Sequence, residues 1–135
     1  MLSFLQTNLV YFLALQKCNK QSDWTIHGLW VDYKDGGFPQ FCHKTKFNVD
    51  ILTDIRDELD KKWPSCPGYG KNEGLWKHEF AKHASCFEHD LSELSYFNTT
   101  LQLYNLIDVD SLCKTKNRGC LISIKHSDIH NNLDL

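Results

Sequence analysis

The sequence predicts an α+β fold in one disulfide-bonded globular domain, and three observations carry that expectation. Stretches rich in β-branched and aromatic residues coexist with stretches of helical periodicity, but the two do not alternate strictly as βα units would. Six cysteines are dispersed along 135 residues, as in a small disulfide-bonded framework. The apolar and charged fractions, 41% and 24%, are those of an ordinary globular chain, with no repeat, low-complexity tract or linker. One domain over residues 1–135 is therefore expected.

The elements follow in order. The first apolar run, Leu9–Leu15, is too short to span a membrane. It reads either as a signal-peptide core or as a buried strand over Val10–Leu15. No positive segment precedes it, and Gln6, Thr7 and Asn8 interrupt its approach, which favours the strand and leaves residues 1–9 as a candidate signal remnant. "DWTIHGLWVDY" (23–33) reads as a second strand, broken at Gly28. "KDGGFPQFCHKT" (34–45) is a loop by its Gly-Gly and Pro. Residues 48–63 place Ile51, Ile55, Leu59 and Trp63 at helical spacing, with Asn48 or Asp50 as cap and Pro64 as stop. A loop, "PSCPGYGKNEG" (64–74), leads to a helix over "LWKHEFAKHASC" (75–86). A third helix over 90–107 turns Leu94, Phe97, Leu101 and Leu103 or Tyr104 inward. "CKTKNRGCLISIKH" (113–126) reads as a hairpin turning near Asn117–Gly119. The polar residues 127–135 are expected to fray.

Cys18, Cys42, Cys66, Cys86, Cys113 and Cys120 include no C-x-x-C pair, which argues against a structural zinc site and for disulfides made in an oxidising compartment. Spacing alone leaves all fifteen pairings open. The sequon at Asn98 agrees with a secreted or lumenal glycoprotein. A net charge of −2 excludes a polybasic nucleic-acid coat or membrane binder, so an RNA partner would be engaged locally.

Two motifs carry chemistry. In "WTIHGLW", His27 lies between two tryptophans and beside Gly28, where a substrate backbone has room to approach and Trp30 offers a stacking face. The plain alternative is a core strand with an internal histidine. In "LWKHEFAKHASC", His78 and His83 are five residues apart, about 140° around a helix, so they do not chelate one ion as H-E-x-x-H does. His78 shares a face with Lys82, and Glu79 with His83. The plain alternative is an amphipathic helix with Leu75, Trp76, Phe80 and Ala84 inward. Taken together, two histidines on separate elements with a lysine nearby suit metal-independent phosphodiester cleavage: one base, one acid, and cations near the developing charge. His126 and His130 have chelating i, i+4 spacing, but they sit in a polar tail, where a chance pair is the simpler reading.

These motifs, in this order and separation, resemble the two active-site segments of the ribonuclease T2 family of secreted endoribonucleases, over residues 10 to 107. The resemblance implies that fold: an antiparallel sheet with helices packed against it. It also implies endonucleolytic cleavage of single-stranded RNA through a 2′,3′-cyclic phosphate, without a cofactor or metal. It makes His83 the base, His27 the acid, His78 a phosphate ligand, and Glu79 and Lys82 the stabilisers of the transition state. Trp30, Asp32 and Trp76 become substrate-binding. It further implies disulfides Cys42–Cys86 and Cys18–Cys66, leaving Cys113 with Cys120. A monomer in the secretory pathway or a lysosomal or vacuolar lumen is expected, with no membrane or obligate protein partner. Val31 and Ala84 stand where the family usually has proline and glycine. "CLISIKHSDIHNNLDL" does not match its usual C-terminal strands, so that part is expected to be incomplete. The competing function is a catalytically impaired RNA-binding or signalling protein on the same scaffold.

Overall fold

A computed structural model describes residues 8–88 and 91–132, with side chains through Ile129. Most of the candidate signal remnant, together with His89 and the side chain of His130, lies outside the described residues. The order of elements is β1 (Leu9–Gln16), β2 (Thr25–Tyr33), a 3-10 segment (Val49–Ile55), α1 (Arg56–Lys62), α2 (Asn72–Lys82), a 3-10 turn (Ala84–Cys86), α3 (Glu93–Leu106), α4 (Val109–Leu112), β3 (Gly119–Ile124) and α5 (His126–Asn132). This is the α+β class expected, with one antiparallel sheet ordered β2-β1-β3.

The middle of the central strand is apolar and buried: Leu13, Ala14 and Leu15 are all 2% exposed or less. Ile26, Leu29 and Val31 of β2 join them in one core. The helices cover that core with aromatic rings. Trp63, Trp76, Tyr96 and Phe97 are each fully buried, and Trp63, Tyr96 and Phe97 pack with ring centroids 5.0–6.0 Å apart. Ser92 caps α3 by accepting from the Ser95 amide. The Tyr96 hydroxyl, on the inner face of α3, accepts from the Leu29 amide and donates to the Leu29 carbonyl, pinning β2 to the helix. Among the described residues, no helix is long and apolar enough to cross a membrane.

Three disulfides pair as the family resemblance implied: Cys18–Cys66, Cys42–Cys86 and Cys113–Cys120. Five local readings need correction. The strand at Gly28 bulges rather than breaks. The segment opening at Asn48 begins as a 3-10 helix, whose tighter turn rotates its inward face, so Leu52 is buried while Ile51 is 48% exposed. On α3 Leu94 is 43% exposed, and Tyr96 takes the inward position. Residues 119–124 do form a strand, but it pairs with β1 instead of folding back on 113–118. The polar tail is helical from His126, because Ile129 inserts into the core at 4% exposure.

Leu52→Ala should destabilise the protein by about 2–5 kcal/mol, as for other large-to-small core substitutions. Ile51→Ala should stay within about 0.5 kcal/mol of wild type. Urea unfolding of the two variants reads out which residue faces the core; equal losses would contradict the 3-10 geometry.

Candidate active site

The site begins with a fault in the β1–β2 ladder. Ala14 pairs with Gly28 and Leu15 with Ile26, so His27 is one extra residue on β2. Without it, side-chain alternation would put His27 and Trp30 on opposite faces of the sheet. The bulge restores them to one face, and their rings meet edge-to-face with centroids 5.0 Å apart. The His27 carbonyl, displaced from the ladder, accepts from the indole N–H of buried Trp63 at 2.9 Å. Trp63 in turn accepts at its own carbonyl from the Trp76 indole at 2.7 Å. Trp76 is therefore a fully buried core residue and not a substrate contact, because both its ring and its N–H are used inside.

Helix α2 brings the second motif. Its α-helical turns stop at Lys82, and His83 follows as the C-cap before the 3-10 turn, so the helix expected over 75–86 starts and ends earlier. Glu79, four residues before His83, points into the protein at 1% exposure. Its Oε1 accepts from the Trp30 indole at 2.8 Å. The same carboxyl group lies 3.7 Å from His83 Nε2 and 3.9 Å from His27 Nε2, too far for hydrogen bonds but close for charge. The Trp30 ring stacks on the His83 ring at 4.9 Å and 19°. One indole thus touches both histidines and bonds the carboxyl between them. A Cβ on Gly28 would fall 2.2 Å from Glu79 Oε1 and 2.6 Å from Trp30 Nε1. The space that glycine leaves is filled by this internal hydrogen bond, not by a substrate backbone.

Burial sets the protonation states. Desolvation pushes the Glu79 carboxyl up to about 7, against the opposing effects of the Trp30 hydrogen bond and Lys82. His83, 5% exposed, is pushed down to about 3 by burial first and then by Lys82, His27 and His78. Its Nδ1 is buried with no hydrogen-bond partner among the described residues. His27 is lowered by burial, then by His78 and Lys82. The site holds a buried imidazole whose charged form is disfavoured, a second imidazole at 37% side-chain exposure, and a carboxyl raised to about 7.

The loop after β2 covers one side. The Phe41 amide donates to the Lys82 carbonyl, one of the carbonyls left open at the end of α2. The Cys42 amide donates to Ser85 Oγ, and the Cys42–Cys86 disulfide closes the attachment. Phe38 then lies under the Lys82 ammonium at 5.6 Å and near His83 at 6.5 Å, while Phe41 meets exposed His78 at 5.9 Å. Asp32 follows Trp30 on the same strand face by alternation, and burial raises its pKa. A cleft of about 750 Å³ opens beside His27, Trp30 and His78.

Of the residues singled out in the sequence, His27, Trp30, Glu79 and His83 form one contact cluster, with Lys82, His78 and Asp32 around it. Trp63, Phe38 and Phe41 were not singled out as site residues. The signal available for Trp63 was its demand for a partner to its N–H once buried. For the phenylalanines it was only aromatic residues in a Gly- and Pro-containing loop. Among the described residues, no group of three or more His, Cys, Asp or Glu is placed to hold a metal ion.

Two imidazoles thus flank one buried carboxyl on a disulfide-tied α+β frame. Comparison with known proteins gives its lineage: the Ribonuclease T2 family profile matches residues 6–133, and the chain belongs to that family. It is 34% identical to Ribonuclease DdI of Dictyostelium discoideum over 119 residues, covering 84% of this chain and 52% of that protein. It is 33% identical to Ribonuclease T2 of Homo sapiens over 94 residues, covering 66% of this chain and 35% of the human protein. The chain thus spans about half, or less, of the length of these relatives. Among solved structures, ribonuclease MC1 from bitter gourd seeds superposes with a TM-score of 0.67 at 20% identity, over 77% of this chain and 61% of that one. RNase NT in complex with 5′-AMP superposes at 0.63 with 24% identity, over 72% and 56%. These two likenesses concern the fold.

Gly28→Ala should destabilise the protein by about 1–3 kcal/mol, since the added methyl must displace the carboxyl or the indole. Unchanged urea stability would show that Glu79 is not lodged there. Trp63→Phe keeps a ring but leaves the His27 carbonyl unpaired, and should lose about 1–3 kcal/mol. An alteration in the His27 imidazole resonances should accompany that loss, and their constancy would separate Trp63 from the bulge.

Proposed function

We propose that the chain is an endoribonuclease that cleaves single-stranded RNA by transphosphorylation, with His83 as base and His27 as acid. The observation that carries this reading is the pair of unlike imidazoles about Glu79. His83 is buried and held neutral, as a base must be before it accepts a proton. His27 is more exposed and able to carry a proton to a leaving group. In the first step the ribose 2′-oxygen attacks its own phosphorus as His83 takes the hydroxyl proton. The P–O5′ bond breaks and His27 protonates the departing 5′-oxygen. Water then opens the 2′,3′-cyclic phosphate with the roles reversed. Lys82 and His78 stand beside the phosphate, and Glu79 holds Trp30 and both imidazoles in register. Asp32, on the strand face of Trp30, is proposed to contact the base. The three disulfides support an oxidising compartment as the place of action, and monomeric action is proposed. The names of the relatives, Ribonuclease DdI and Ribonuclease T2, support RNA as the substrate class.

His27→Ala and His83→Ala should each lower the cleavage rate by about 10²–10⁴ without unfolding the protein. Excess EDTA should leave the rate unchanged. Early products should end in 2′,3′-cyclic phosphate, and DNA should remain uncut. A near-normal rate in either histidine variant, or early products lacking cyclic ends, would overturn the mechanism.

The rate should be bell-shaped in pH. The base works above its pKa, which is pushed down to about 3 for His83. The acid works below its pKa, lowered from 6.5 for His27. The optimum therefore falls on the acid side, between about 3 and 6.5, and the two limbs belong to the coupled pair. A rate still climbing above neutral pH would contradict the assignment.

A further inference from the structure

The cleft beside His27 and His78 does not end at the histidines. It runs along the ends of β1 and β3 to Lys17 and Arg118, and no Asp or Glu among the described residues lines it. In a chain with net charge −2, a wall that carries Lys17, Arg118 and two imidazoles, with no carboxylate among the described residues, is a local reversal of sign. The two residues stand opposite each other at the strand ends: the Lys17 amide donates to the Arg118 carbonyl at 2.9 Å, one step beyond the last ladder pair, Gln16 with Gly119. Disulfides anchor both strands close by, Cys18 to Cys66 and Cys120 to Cys113. The Lys17 ammonium lies over the Trp24 ring at 4.9 Å. Among the described residues neither Lys17 nor Arg118 has a carboxylate partner. Like charges set side by side across paired strands repel, and among the described residues no carboxylate neutralises them. An anion held between them would.

We propose that Lys17 and Arg118 form a second phosphate subsite, which takes the phosphate adjoining the scissile one along the RNA strand. The proposal rests on the ribonuclease reading for its ligand class. The cleft volume of about 750 Å³ falls within the usual range of ligand sites, about 300–1,000 Å³, and leaves room for a nucleotide between the histidines and the cations. Arginine supplies a planar fork for phosphate oxygens, and lysine a mobile point charge. The consequence is a preference for chains over dinucleotides, with one more phosphate contributing to the salt dependence.

Deoxydinucleotides are not substrates for 2′-hydroxyl attack, so they test binding apart from catalysis. Affinity is measured by calorimetry for a deoxydinucleotide alone, with an added 5′-phosphate, and with an added 3′-phosphate. One terminal phosphate should tighten binding by roughly tenfold at low salt and steepen the log–log salt slope by about 0.7; which end does so gives the strand polarity. The double variant Lys17→Gln, Arg118→Gln should lose that gain yet bind the unphosphorylated dinucleotide like wild type, which also shows that it is folded. If neither phosphate tightens binding, or if the gain survives the double substitution, the subsite is overturned. A wild-type protein that shows the gain but cuts no RNA would instead overturn the catalytic reading and leave the subsite standing.

Discussion

The Glu79 carboxyl, buried against Trp30, is the constraint on which the rest of the site depends. A carboxyl at 1% exposure needs a partner, and the Trp30 indole supplies it. That bond fixes the plane of Trp30, and the plane of Trp30 fixes where two imidazoles rest, one stacked and one edge-on. The bond itself requires that residue 28 have no side chain. The HGLW segment is therefore one mechanical unit: histidine beside the carboxyl, glycine to make space, leucine to anchor in the core, tryptophan to bridge to the helix.

That unit is held from three sides. Trp63 secures the bulge from below, Tyr96 secures Leu29 from α3, and the Cys42–Cys86 bridge ties the covering loop to the end of α2. Aromatic residues do most of this, because each combines a large buried surface with a single polar atom that must be bonded. A small three-stranded sheet gains from such bonds a rigidity that its size alone would not provide.

The same burial ties the site to pH. Glu79 keeps in the fold a proton that the unfolded chain has lost above about 4.5, so between 4.5 and about 7 its contribution to stability falls as pH rises. His83 refuses in the fold a proton that the unfolded chain binds below 6.5, so between about 3 and 6.5 its contribution falls as pH drops. Over the shared window, 4.5 to 6.5, the two slopes oppose one another. The two contributions thus largely cancel in mild acid, leaving stability nearly level with pH where the proposed chemistry has its acid and base in the right states.

The sequence by itself determined the class of fold, the strands around Leu13 and Val31, the disulfide-bonded character, and the two histidine motifs. These are legible because periodicity, cysteine number and a specific pair of motifs are local properties of the chain. The disulfide pairing was legible only through family resemblance. Tertiary structure alone decided that His27 sits on a bulge, since a register fault belongs to two strands at once. It placed Trp76 in the core despite its position in the histidine motif, because both its ring and its N–H find internal partners. It also turned Ile51 outward, gave β3 to β1 instead of to a hairpin, and drew Ile129 into the core. Each of these depends on what a residue meets across space, a competition among partners that spacing along the chain does not encode.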